Sequence, residues 1–224
     1  MTAQSIAGVA PAAPWQITVL GQDRGVIFLT FANDFTSTGY GISLDALGPF
    51  TIAGTWDNDA NGDIVGGFTE FVEGGSQAGI IEGRVRGNGG FVGHVKTTHG
   101  PQKFKAPAPG PIPDLSGSWT ASVESDGKKT LETFTLTPST NNVPGWFDLN
   151  GNGIDNNGSF ALSGAVLVTT DRNAAGYTIS NFGTSTLQAA FIGKVSKKAN
   201  RLVLRGKDEN DKGTTLQAEK PKTK

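Results

Sequence analysis

Lys105-Ala106-Pro107-Ala108-Pro109-Gly110-Pro111-Ile112-Pro113 decides how this chain is organised, because it sets four prolines within seven residues. Proline lacks a backbone donor and cannot join a sheet ladder, so the stretch reads as an extended, semi-rigid spacer. Residues 105–113 therefore divide a unit at 14–104 from a unit at 114–218. A segment expected to be flexible, 1–13, precedes them and a charged tail, 219–224, follows.

The units echo each other. A Trp stands near the start of each, Trp15 and Trp119, and each closes with a matching run, Phe91-Val92-Gly93-His94-Val95 beside Phe191-Ile192-Gly193-Lys194-Val195. Between these lie two acidic, glycine-broken stretches that follow a Trp: Trp56-Asp57-Asn58-Asp59-Ala60-Asn61-Gly62-Asp63 and Trp146-Phe147-Asp148-Leu149-Asn150-Gly151-Asn152-Gly153-Ile154-Asp155. The offsets differ, and loops absorb such differences at little cost. One sheet-forming unit used twice is the expectation.

Within each unit apolar residues recur every second position. Ile27, Leu29 and Phe31 alternate in one run, Phe134 and Leu136 in another, Leu202 and Leu204 in a third, which is the period of strands and not of helices. Gly is 32 of 224 residues, roughly double ordinary usage, and that weakens helices while serving turns. Turn signals such as Asp126-Gly127 and Asn157-Gly158 supply the positive φ of tight hairpins. The expected fold is all-β: two tandem antiparallel β-barrel or sandwich domains. A single turn of helix is expected near Ser43 to Leu47.

Leu115-Ser116-Gly117-Ser118-Trp119-Thr120 resembles the Gly-x-Trp start of the calycin superfamily, the lipocalin, avidin and bacterial metalloprotease-inhibitor barrels. The resemblance covers mainly residues 114–218; Gly54-Thr55-Trp56 repeats the pattern away from a domain start, and Pro14-Trp15 stands where the first unit should have it. It implies a small barrel closed at one end by Trp119, with a late basic residue, Arg201 or Arg205, lying over the indole. It also implies either a carrier of a small apolar ligand or a protease inhibitor acting through residues 1–14.

Composition narrows the function classes. There is no Cys, which excludes disulfides, thiolate metal sites and thiol nucleophiles. The formal net charge is −1, but Lys194 to Lys224 hold ten basic against four acidic side chains. A solvated edge strand with a charged tail explains that excess better than nucleic-acid contact. No Gly-x-Ser-x-Gly elbow or His-paired Ser is present, and a hydrolase built on Glu70, Glu73 or Glu82 would be expected to show aromatic platforms, whereas the aromatics are 8% of the chain and mostly Phe at core-like spacing, so catalysis is not expected. The first residues lack the charged and apolar regions of an export signal, and no run approaches the roughly 20 apolar residues of a membrane helix.

Oxygen ligands spaced by two can converge on a hard cation when a tight loop carries them. Asp57, Asp59, Asn61 and Asp63 in the first stretch, and Asp148, Asn150, Asn152 and Asp155 in the second, are the candidate calcium ligands, with a metal-free Asx-rich turn as the competing reading. Phe68 and Ser159 stand where an EF-hand needs its bidentate Glu. His94 and His99, five apart, fall on opposite faces of a strand.

The function expected from the sequence is a non-enzymatic binding or assembly module, bacterial and exported or surface-associated, with a cytoplasmic location left open. A protein partner or self-assembly is the first expectation, a small apolar ligand the alternative. Calcium in either acidic stretch would raise the melting temperature through preferential binding to the folded chain. Identical unfolding curves with chelator and with millimolar calcium would remove it.

Overall fold

The computed structural model describes residues 14–21, 24–59, 63–140 and 143–221. Segment 1–13, Asn61 and the last three residues of the tail lie outside them. The first eight strands are β1 (Trp15–Leu20), β2 (Gly25–Phe31), β3 (Thr36–Ser43), β4 (Gly48–Asn58), β5 (Ile64–Val72), β6 (Gly75–Val85), β7 (Phe91–Thr97) and β8 (Gly100–Ala106). The second eight are β9 (Gly117–Ser125), β10 (Lys128–Pro138), β11 (Trp146–Asp155), β12 (Gly158–Val168), β13 (Asn173–Asn181), β14 (Thr186–Val195), β15 (Arg201–Asp208) and β16 (Gly213–Glu219).

Within each set of eight, consecutive strands pair antiparallel, and two rings close, the first through β1 and β8, the second through β9 and β16. The chain is thus two tandem eight-stranded antiparallel barrels. Residues 107–116 join them, so β8 takes in Lys105 and Ala106, while Glu219 belongs to β16.

Local chemistry sets the turns and the curvature. Ser125 pairs with Lys128 across Asp126 and Gly127, both at positive φ, 51° and 71°, the backbone of a two-residue hairpin whose twist suits its strands. The Ser43–Leu47 segment is a turn, not a helix, tied by the Ala46 N–H to the Ser43 hydroxyl at 3.0 Å. Inside the barrels Gly faces Phe: a Cβ at Gly153 would overlap the Phe160 ring, and one at Gly79 would overlap Phe68. The missing side chain lets a ring lie flat on the neighbouring strand where the sheet bends.

Alternation then sorts the faces. Trp15, Ile17, Leu29, Phe31, Phe91 and Phe104 help to fill the first barrel, and Trp119, Phe134, Leu136, Leu149, Phe191 and Leu204 the second. The outward residues of the second are mostly polar, Thr120, Thr133, Thr135, Asn150, Arg205 and Gln217 among them. That polarity is the reverse of a barrel facing lipid. No helix among the described residues is long and apolar enough to cross a membrane.

A third cluster lies between the barrels. Val26, Phe28 and Ile42 project from the outside of the first barrel onto Ala165, Leu167 and Ala175 of the second, with Ile112 of the linker against them. Polar contacts ring this patch: the Thr170 N–H donates to Gln16 Oε1 at 2.6 Å, Asn173 Nδ2 to Thr18 Oγ1 at 3.1 Å, and the Tyr40 hydroxyl to the Pro144 carbonyl at 3.0 Å. Gly145, at φ 73°, lets Phe28 approach; a Cβ there would sit 2.8 Å from the ring. The two hydrophobic interiors stay separate, and the barrels dock through their walls.

The match between units is one of topology more than of segments. Trp15 and Trp119 both lie on first strands. Trp56, however, stands near the end of the fourth strand of its barrel, whereas Trp146 opens the third strand of the other. Phe91 and Phe191 fall on seventh and sixth strands. Both matches are thus displaced by one strand between the two barrels.

Phe28 is fully buried between the barrels. Phe28→Ala should cost about 3–5 kcal/mol of stability and make the 107–116 linker easier to cleave. Urea unfolding and limited proteolysis check both, and an unchanged midpoint would mean the contact contributes nothing.

Candidate functional site

The first acidic stretch closes a hairpin. The Asp59 N–H donates to the Asp63 carbonyl and Asp59 Oδ1 accepts the Asp63 N–H, both at 2.9 Å. The Asp63 carboxylate is gripped by Arg84, Nε at 2.6 Å and Nη2 at 2.9 Å, while Asp57 stands on β4 opposite Val65.

The second stretch is not a loop. It is β11, because Phe147 and Leu149 turn inward while Gly151 and Gly153 make room for Phe134 and Phe160. Asp148, Asn150 and Asn152 therefore alternate along the outer face, successive Cα atoms about 7 Å apart, in a row and not around a centre. Asp148 accepts the Trp146 indole N–H at 2.9 Å, and Asp155 caps the next turn through the Asn157 N–H at 2.7 Å. Among the described residues no group of three or more His, Asp or Glu is arranged to hold a metal. His94 points outward opposite Glu82, and His99 Nδ1 lies 3.5 Å from Asp45.

The barrels differ at the end away from their buried first-strand Trp. In the first, Glu70 stands directly opposite Gln77, whose amide donates to its carboxylate at 2.8 Å. Only about 30 Å³ of space remains among the side chains there. In the second, a cup of about 250 Å³ opens at the equivalent end. Phe160, Phe191 and Ala189 line its apolar side, Thr178, Ser180 and Thr214 supply hydroxyls, and Phe182 rests on Phe160 at the rim, 4.8 Å between centroids.

Glu132 reaches into this cup from β10. Its register partners are Ala121 on β9 and Gly153 on β11, neither of which has a polar side chain to offer. The residue is only 5% exposed and, among the described residues, its Oε2 finds no hydrogen-bond partner. Burial pushes its carboxyl up to about 7, since desolvation disfavours the charged form. The alternation had hidden Glu132: it stands at an inward position of β10, two residues before Phe134, and an inward carboxylate on a strand was the available signal.

The opposite end of the second barrel is sealed. Trp119 is 1% exposed, donates its indole N–H to the Leu115 carbonyl at 2.8 Å, and carries Lys220 over its ring at 5.3 Å. Lys220 thus takes the place expected for Arg201 or Arg205; Arg201 pairs with Glu219 instead. Trp56 and Trp146 are half-buried, Trp56 donating to the Ala32 carbonyl at 3.0 Å.

No family model matches the chain, and no curated protein matches it in sequence. Among solved structures it is similar to a redesigned β barrel, mFAP1, bound to DFHBI, at 15% identity and a TM-score of 0.41, over 47% of this chain and 94% of that one. It is also similar to a candidate outer membrane protein from Bacteroides fragilis NCTC 9343, at 11% identity and a TM-score of 0.31, over 94% and 96% of the two chains. Neither likeness is close enough to bear on the chemistry of the cup.

A carboxyl raised by burial binds its proton more tightly folded than unfolded, so stability is greatest below the unfolded value of about 4.5 and falls as pH rises towards 7. The loss should total about 3 kcal/mol. Glu132→Gln should flatten that segment of the stability profile, measured by denaturant unfolding, and equal slopes for the two proteins would refute the assignment.

Proposed function

We propose that this protein is a binding module in which the second barrel receives a small, largely apolar molecule and the first serves as a rigid base. The observation that carries the reading is the contrast between two barrels of one topology. One has its open end filled and its inward carboxylate paired, the other keeps a cup of about 250 Å³ around an unpaired one. A cavity lined by apolar side chains with a few convergent polar groups is the usual form of a small-molecule site.

The sealed Trp119 end supports the same reading. A barrel closed at one end under a basic side chain and open at the other is what the resemblance to calycin barrels implies for a carrier. Carriage of a ligand is therefore preferred here over recognition of a protein partner or self-assembly. Binding without catalysis is part of the proposal, as is an exported or surface location, which the Gly-rich, Cys-free composition favours.

The test is direct. An environment-sensitive apolar dye should bind the full chain with one site, and Ala189→Phe, which fills the cup, should abolish that binding with the circular dichroism spectrum unchanged. Gln77→Leu in the first barrel should leave it intact. Dye binding that survives Ala189→Phe would place the site elsewhere, and absence of binding by the unmodified chain would end the proposal.

A further inference from the structure

We infer that the ligand of the second barrel is an organic cation, a small apolar or aromatic body carrying a protonated amine that pairs with Glu132. The inference rests on the reading of the cup as a ligand site and adds the chemical class.

A buried carboxyl without a partner is costly, and a protein retains one most readily where something else supplies the partner. Glu132 has no donor from Ala121 or Gly153 beside it. The other charged groups of the cup do not provide one either. Lys212 holds Asp126 at 3.1 Å, Asp208 Oδ1 accepts the N–H groups of Asn210 and Lys212, and Asp155 is engaged with Asn157. Lys128 stands at the mouth, on the far side of Thr130 along β10, and is exposed.

Charge and shape then select the ligand. Four carboxylates, Asp126, Glu132, Asp155 and Asp208, face two ammonium groups, Lys128 and Lys212, around the cavity, so an anion meets repulsion and a cation attraction. Below the rim the surroundings are Phe160, Phe191, Ala189 and Val123, which suit a ring or a compact chain. The volume, about 250 Å³, lies just under the usual range of small-molecule pockets, about 300–1,000 Å³, and admits one ring with a short arm. The ammonium would meet Glu132 Oε2, with the hydroxyls of Thr178, Ser180 and Thr214 available to its remaining donors. Because burial raises the Glu132 carboxyl to about 7, pairing strengthens as pH rises past that value and weakens below it.

Calorimetric titration of the full chain with phenethylamine, phenethyl alcohol and phenylacetate tests this at about pH 8 and about pH 5. The amine should bind at least about tenfold more tightly than the alcohol at the higher pH, with phenylacetate weakest. The preference should shrink at the lower pH. In Glu132→Gln the amine should lose its preference and bind no more tightly than the alcohol binds to the same variant; this neutral isostere also removes the buried charge. Equal binding of amine and alcohol by the unmodified chain, or an amine preference that survives Glu132→Gln, overturns the inference. If the apolar dye binds but none of the three compounds does, the cation assignment fails alone; if nothing binds, the cup reading fails with it.

Discussion

Pairing of β16 with β9, from Glu219 opposite Thr120 to Thr214 opposite Ser125, removes the last free edge of the second sheet, as β1 with β8 does for the first. A sheet closed on itself has one inside and one outside, so each strand's alternation is forced into two classes. Everything else follows from that sorting: a packed interior, a polar wall, and two ends that must be sealed or left open. The ends are where the two barrels part company.

Sealing is done by aromatic rings at one end of each barrel and, in the first barrel alone, by side-chain pairing at the other. Glu70 opposite Gln77 shows how an inward carboxylate is accommodated when its register partner is an amide. Glu132 lies between Ala121 and Gly153, and the same carboxylate chemistry there becomes an unmet demand inside a cup. The filled end of the first barrel and the cup of the second thus differ in what stands opposite an inward Glu.

The barrel class was legible because period-two alternation and Asp-Gly or Asn-Gly turns are local signals. The proline spacer was legible for the same reason. The acidic stretch at 148–155 misled, since Asp, Asn and Gly are turn formers by composition, yet Phe147 and Leu149 already kept the strand period. The docking face was missed although its mark was present: Val26-Ile27-Phe28-Leu29 and Ala165-Val166-Leu167-Val168 are unbroken apolar runs, the pattern of strands covered on both faces. The inward place of Glu132 could be read from the alternation, but its isolation could not, because that depends on residues from two other strands. Lys220 over Trp119 was beyond local reading, since the ring must close before the two can meet.

The wall-to-wall contact has a consequence for how the protein is made. The first ring can close once β8 has left the ribosome, but Val26, Phe28 and Ile42 on its flank have no cover until β12 and β13 follow. For the time taken to synthesise roughly seventy-five more residues, on the order of 4–15 s at ordinary translation speed, the nascent chain carries a finished barrel with an apolar flank in water. That flank is a ready landing surface for the second barrel, and equally for a chaperone or another nascent copy.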